Sequence, residues 1–181
     1  MYRAFLIVCL AAGVFVVAAC GGQGGGAPAT SASATAKPAA PAMETRWLRG
    51  LWANDIKQEL AAIGITCKGP MQENRTNVWM CEAGTPLTSY QLRFYGSAPG
   101  KIEYINAVVT QSGPAKDAPY LRLFGVLAGL HFDGADQAQA RKWLEASMAG
   151  GGTTVIGPAK YKLTGDANRR TFDVKASGSE W

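Results

Sequence analysis

The chain is poor in the residues that most catalytic and metal sites need. Of its 181 residues only one, His131, is a histidine, and only 17% are charged. No two of its four cysteines, at positions 9, 20, 67 and 81, are spaced as Cys-x-x-Cys. The common spacing patterns of zinc and haem sites are therefore absent, and we expect neither a metal nor a cofactor. The length permits one ordinary domain with an appendage and excludes a second catalytic domain.

The chain also has only a small excess of positive over negative charge. Residues 46–181 carry a net charge of only +4, and 48% of the chain is hydrophobic. Nucleic-acid binding normally needs a denser basic stripe, so we expect no nucleic-acid partner. The hydrophobic content is enough to form one buried core, so the chain as a whole is not a disordered tail.

No uncharged apolar run is long enough to span a bilayer, which needs about 20 residues. The run from Ala4 to Ala19 follows the basic end Met1-Tyr2-Arg3 and indicates a secretory signal. It ends in Val17-Ala18-Ala19-Cys20, which resembles the lipobox of bacterial lipoproteins. That resemblance implies a signal peptide over residues 1–19 and a lipid attached to Cys20.

The same resemblance implies the address of the protein. In that family the cysteine thiol receives a diacylglyceryl group and the new N-terminus can be acylated, as by palmitate, so the membrane is a partner through the lipid. Gly21 is not the Asp that retains lipoproteins in the inner membrane of Gram-negative cells, which points to the outer membrane there. In other bacteria, we expect the lipid to anchor the protein in the cell membrane. An ordinary signal peptide and an uncleaved anchor remain alternatives.

Residues 20–45 are expected to form the lipidated cysteine and a tether. From Gly21 to Thr45 the chain is low-complexity Gly, Ala, Pro, Ser and Thr with two charges. As a flexible chain, these 25 residues have an r.m.s. span of about 25–30 Å. A single globular domain is then expected over residues 46–181, held near the membrane in the cell envelope or periplasm.

A first amphipathic helix is predicted from apolar residues spaced by three and four between Trp47 and Ile63, ending near Gly64. Four strands are predicted next, over residues 65–68, 78–83, 89–95 and 101–111. A turn centred on Asn74 places Cys67 opposite Cys81. In an oxidising compartment this placement predicts a structural disulfide. Free buried thiols or a redox pair are the alternatives, although redox pairs usually have the Cys-x-x-Cys spacing.

The other turns predict further partners. One centred on residues 84–87 places Trp79 opposite Leu92 and Cys81 opposite Tyr90. One centred on residues 96–100 places Phe94 opposite Ile102 and Leu92 opposite Tyr104. This register fails near Asn106, where apolar residues are consecutive, so we expect either a bulge there or a strand covered on both faces.

The second half predicts two helices and a hairpin. One helix follows Pro119 with an apolar stripe ending at His131, and Asp136 caps another that stops at residues 150–152. The hairpin joins residues 159–164 to residues 170–176, with Leu163 opposite Phe172. The fold class is thus α+β: an antiparallel sheet of about six strands packed by the helices, in the order helix, four strands, two helices, two strands. This order is similar to that of small secretion-chaperone-like domains, with an extra strand and helix and no shared motif.

Few residues suggest chemistry. His131 and Asp133 could act in acid–base catalysis, but no nucleophile motif accompanies them, so a structural role is favoured. Asp133 and Asp136 are too few to bind calcium. Arg169-Arg170, with Lys160, Lys162 and Lys175, and the pair Arg46 and Arg49 are basic groups best explained as solvated faces. Trp181 could either pack on the sheet or form an exposed contact.

We therefore expect a membrane-anchored bacterial envelope lipoprotein whose domain is not an enzyme and binds a protein or a small ligand. The alternatives are an envelope hydrolase that uses His131 and a structural accessory subunit of an envelope complex.

Overall fold

The computed structural model describes residues 46–114 and 116–179. The expected signal peptide, Cys20, the tether and Trp181 lie outside the described residues. The seven strands of the described part of the chain form one antiparallel sheet, and its three helices pack on that sheet. The α+β class is therefore confirmed. The elements are α1 (Ala53–Ala62), β1 (Thr66–Glu73), β2 (Thr76–Thr85), β3 (Thr88–Ala98), β4 (Lys101–Gln111), α2 (Asp117–Ala128), α3 (Gln137–Ser147), β5 (Gly152–Ile156), β6 (Ala159–Gly165) and β7 (Arg169–Ala176).

The expected count of about six strands was wrong because β5 was missed. This strand has only five residues, Gly152–Ile156, and it pairs with β6 at the edge of the sheet. Its first residue, Gly152, belongs to the run of three glycines that predicts the end of α3. The residues after it do not alternate between apolar and polar, so no strand pattern was visible. The element order is therefore helix, four strands, two helices and three strands.

The strands lie in the order β1-β2-β3-β4-β7-β6-β5, so β4 lies at the centre, between β3 and β7. One face of the sheet, which we call the core face, packs against all three helices in a single hydrophobic cluster. Phe172 of β7 lies at its middle, with ring centroids 5.2 Å from Phe124 of α2 and 6.1 Å from Tyr161 of β6. Burial of this face is the main source of stability in the fold.

The first helix is shorter than predicted. Its first residue is Ala53, and the segment Trp47–Leu51 precedes it. Two backbone bonds hold this segment and the start of α1 on the β3–β4 hairpin: Leu48 N–H donates to Ile102 O at 2.8 Å and Ala53 N–H donates to Pro99 O at 2.7 Å. The Asp55 carboxylate accepts from Trp52 N–H at 3.2 Å and so caps the helix start. The predicted end is confirmed, since Gly64 follows the helix with a φ of 78°.

The β1–β2 register is as predicted at the cysteines. Cys67 lies directly opposite Cys81, and the two form a disulfide. Their hairpin turns at Asn74 and Arg75, which have positive φ values of 49° and 68°, as a two-residue hairpin turn with matching twist requires. An irregularity between Lys68 and Met71 interrupts the ladder.

The next two predicted registers were wrong. Trp79 pairs with Phe94 and Cys81 with Leu92, because the β2–β3 turn is the two-residue Pro86-Leu87. That two-residue shift leaves every side chain on its predicted face.

At the β3–β4 hairpin the turn is Pro99-Gly100, which closes Ala98 against Lys101. Phe94 therefore faces Ile105 rather than Ile102, and Leu92 faces Ala107 rather than Tyr104. This shift is odd, so it moves Tyr104 to the face opposite the core. There is no bulge at Asn106; the bulge lies next to Gly96.

The second half agrees with the prediction apart from β5 and the bounds of α2, which begins at Asp117, before Pro119. The Asp136 carboxylate accepts from Gln139 N–H at 2.9 Å and caps α3. Leu163 lies opposite Phe172, and Tyr161 lies opposite Val174. The helix α2 ends at Ala128, so His131 lies in the connection to α3 rather than on the helical stripe.

Antiparallel order gives the sheet two distinct ends. The turns Asn74-Arg75, Pro99-Gly100 and Gly157-Pro158 meet at one end, which we call the proximal end because Trp47–Leu51 also packs there. The turns Pro86-Leu87 and 166–168 meet at the other, the distal end.

Replacing both bridged cysteines, as Cys67→Ala with Cys81→Ala, is expected to lower the free energy of unfolding by up to about 3 kcal/mol, because the bridge closes a loop with a sequence separation of 14. Urea unfolding with and without reductant measures this. Reductant should weaken the natural chain and leave the double variant unchanged; equal stability of all four samples would contradict a structural role.

Candidate functional site

The face of the sheet opposite the core, which we call the polar face, is closed near the proximal end and open near the distal end. Val78 and Lys175 near its proximal end are buried, as is Asp173 in the middle row, although they lie outside the main hydrophobic cluster. From Arg93, which shares that middle row, toward the distal end, the exposed residues are Arg93, Glu82, Gln91, Thr110 and Arg169. A ligand thus has access to the distal half.

A hydrogen-bonded network borders the open half. The Asp173 Oδ1 atom accepts from the Tyr104 hydroxyl at 2.5 Å and from Asn106 Nδ2 at 2.7 Å. The Tyr104 ring stacks on Tyr95 with centroids 5.5 Å apart. These contacts join β3, β4 and β7 on the polar face, so the network fixes the positions of Tyr95 and Asn106.

The network also sets the ionisation of its phenol. Burial, together with the hydrogen bond to the Asp173 carboxylate, raises the pKa of Tyr104 far above its ordinary value. Tyr104 therefore stays neutral and remains a donor to Asp173. On the core face, burial and the nearby Asp136 carboxylate raise the pKa of Tyr161 to about 12.

A groove of about 280 Å³ lies on the polar face across β2, β3 and β4. Its lining side chains are two cations, one carboxylate, two amides, a phenol and two apolar groups: Arg93, Arg169, Glu82, Gln91, Asn106, Tyr95, Met80 and Val108. A neighbouring hollow of about 430 Å³ shares Met80 and Glu82 with the groove and adds Thr66, Lys68 and Met71.

Strand register places six of these eight groove residues in two rows. Arg93 lies on β3 between Met80 of β2 and Asn106 of β4. Gln91 lies in the next row, between Glu82 and Val108. The two guanidinium groups outnumber the single carboxylate of Glu82, and together with the amides and the phenol they can donate to a carboxylate or phosphate group. The methionines next to them suit an apolar part of the same ligand.

The residues considered above for catalysis and metal binding do not lie around this groove. His131 is exposed and Asp133 follows it on the loop between α2 and α3, and neither lines the groove. Asp136 serves as the α3 cap. Within residues 46–114 and 116–179, no three His, Cys, Asp or Glu side chains are grouped so that they could hold a metal ion.

The predicted basic groups are split by the sheet. Arg169 lines the groove, whereas Arg170 points to the core side, where its guanidinium lies 5.2 Å from the Tyr120 ring centroid and donates to the Met148 carbonyl. Lys160 and Lys175 are cross-strand neighbours on the polar face, and Lys162 lies opposite Asp173 in the β6–β7 ladder. Arg46 and Arg49 precede α1 instead of lying on it, as the shorter helix requires.

Sequence reasoning missed Arg93, Tyr95, Tyr104, Asn106 and Asp173 as a group. The available signal was the alternation of β3 and β4, where polar and aromatic residues occupy every second position. The wrong β3–β4 register hid it by placing Tyr104 on the core face.

Comparisons with protein-family models, with curated proteins and with solved structures find no match to this chain. None of the helices in the described part of the chain is long and apolar enough to cross a bilayer.

Changing Tyr104 to Phe is expected to lower the free energy of unfolding by about 1–2 kcal/mol at neutral pH, because Asp173 loses a hydrogen bond to its charged form. The raised pKa of Tyr104 also makes its contribution complete below about pH 10 and progressively lost at higher pH, since the unfolded phenol ionises there first. Urea unfolding at neutral and at alkaline pH tests both effects.

The matched control is Tyr95→Phe, which removes a hydroxyl from the stacked neighbour and leaves both bonds to Asp173 in place. It should retain the alkaline loss of stability that Tyr104→Phe reduces. Identical pH profiles for the natural chain and Tyr104→Phe would show that the network does not hold the phenol neutral.

Proposed function

We propose that this protein is a bacterial envelope lipoprotein, anchored through a lipid on Cys20, whose domain binds a small ligand with an anionic group and an apolar part. Binding takes place in the polar-face groove and involves no catalysis. Residues 20–45 tether the domain to the membrane, and the domain acts outside the cytoplasm.

The observation that carries the proposal is the groove itself. All three described helices pack on the core face, which leaves the distal half of the polar face open with Arg93 and Arg169 in one groove. The hydrogen-bonded network of Tyr104, Asn106 and Asp173 fixes one wall before a ligand arrives. Such preorganisation lowers the entropic cost of binding.

Two alternatives have less support. A hydrolase that uses His131 would need this exposed side chain beside a nucleophile and a substrate site, and it does not line the groove. His131→Ala should abolish any hydrolysis found with envelope material if that alternative holds. A structural accessory subunit would instead change the abundance of partner proteins when its gene is deleted.

The anchor is tested by the intact mass of the chain extracted from membranes of the producing cell. We expect a chain that begins at Cys20 and carries acyl groups, with two further alkylation sites appearing only after reduction because of the Cys67–Cys81 bridge. A Cys20→Ser variant should not be lipidated. A soluble chain without acyl mass would overturn the anchor and leave the groove to be tested separately.

The groove is tested by nuclear magnetic resonance with isotopically labelled chain and a panel of acylated amino acids and alkyl phosphates. Saturable shifts are expected at the amides of Gln91, Arg93 and Asn106. Arg93→Ala or Arg169→Ala should weaken binding by roughly tenfold, because each removes a charge-assisted hydrogen bond.

The matched control for these variants is Lys142→Ala, which removes one positive charge from an exposed position on α3, on the other side of the sheet. Binding should be unchanged in that variant. If no panel member shifts the groove amides saturably, or if Lys142→Ala weakens binding as much as the arginine variants, the proposed site is wrong.

A further inference from the structure

The proximal end of the domain exposes an aromatic surface that the groove and the core leave unused. The Trp52 side chain is 58% exposed, and its ring lies against the backbone of Gly100 in the β3–β4 turn. The ring of Trp47 packs beside the same turn, with Lys101 Nζ 5.2 Å from its centroid. We call Trp47, Trp52 and Lys101 the proximal patch.

The tryptophan at position 52 is not explained by packing in the core. The residues that flank it, Leu51 and Ala53, are buried in the main cluster, so the chain is fixed there while the indole points outward. Exposing a large aromatic ring to water costs free energy that a polar residue at this position would avoid. Indole rings combine an apolar body with one N–H donor, which suits the boundary between water and lipid.

Charges around the patch favour an anionic surface only slightly. Arg46 and Arg49 are exposed in the same segment as Trp47, and Lys101 adds a third cation. Asp133 lies against Gly50, and the Asp55 carboxylate is held by Trp52 N–H, so two anions offset part of this charge. Contact of the aromatic rings is therefore expected to contribute most of the binding free energy, and attraction to anionic headgroups contributes less.

The position of the patch in the chain identifies its occupant. Arg46 and Trp47 directly follow the Gly-, Ala- and Pro-rich residues 21–45, which lead to Cys20. If these 25 residues form the proposed flexible tether, their length limits the distance between patch and anchor to a few tens of ångströms. The effective concentration of lipid at the patch would then be high, and a weak contact would be enough.

We propose that the proximal patch docks on the lipid surface to which Cys20 is anchored, with the Trp52 indole in the headgroup layer. This inference rests on the proposed lipid anchor. Docking in this way directs the proximal end to the membrane and leaves the distal half of the polar face, with Arg93 and Arg169, turned away from it.

The test uses the chain from Cys20 onward, which contains every core residue from Leu48 to Ala176. Cys20 is coupled through its thiol to a maleimide phospholipid in vesicles of phosphatidylcholine with phosphatidylglycerol. This chemical anchor makes the result independent of whether cells lipidate Cys20. Quenching of tryptophan fluorescence by brominated phospholipids then measures contact with the bilayer.

We expect quenching in the anchored natural chain and a clear decrease of it in Trp52→Phe, in which Trp47 is the remaining indole of the patch. The soluble chain, with its Cys20 thiol blocked, should partition weakly into the same vesicles, and Trp52→Phe should reduce that partition by roughly tenfold. Because Trp52 is exposed, circular dichroism should show an unchanged fold. Removing phosphatidylglycerol should reduce partition less than the Trp52→Phe change does.

The distal end supplies the matched control. Leu87 is 66% exposed in the Pro86-Leu87 turn, so Leu87→Trp places a second exposed indole at the opposite end. Introduced into the natural chain, which keeps Trp52 and can dock, this added indole should contribute fluorescence that is not quenched. Equal quenching of the proximal and distal indoles, or no loss of quenching in Trp52→Phe, would show that the domain tumbles freely on its tether and would overturn the proposal.

Discussion

Burial of the core face against all three helices is the constraint on which the rest of this structure depends. Side chains on a strand alternate, so a sheet that commits one set of positions to helices leaves the other set for a different surface. The interior strand β7 shows this directly, because Phe172 and Val174 face the core while Asp173 and Lys175 face the opposite side. Packing of the core and shape of the polar face are therefore set by the same strands.

The disulfide compensates for a weakness in that arrangement. The edge strand β1 is mostly exposed and has an interrupted ladder, so it contributes little to the core. Cys81 on β2 is fully buried, and its bond to Cys67 joins the edge strand to a strand that is held by packing. This bond keeps Thr66 and Lys68 next to Met80 and Glu82, where the second hollow lies.

Local patterns predicted much of the fold, whereas turn lengths did not follow from them. The Asp136 cap, the Cys67–Cys81 pair and the final hairpin were predictable because each depends on a few neighbouring residues or one turn. In the β3–β4 hairpin, consecutive apolar residues fit several registers equally well, and only the Pro99-Gly100 turn selects one. The odd error there moved Tyr104 to the wrong face, so the polar network could not be found. Similarly, the spacing from Trp47 to Leu51 fits a helix but comes from packing on that turn.

The two surfaces that remain outside the core lie in different places, and this separation matters for the proposed function. The Pro99-Gly100 turn supports Trp52 at the proximal end, while the same two strands carry Gln91, Arg93 and Val108 farther toward the distal end. A ligand in the groove and a lipid surface at the patch would therefore not compete for the same side chains. Because β3 and β4 connect both surfaces rigidly, an orientation fixed at the membrane would also fix the direction in which the groove opens.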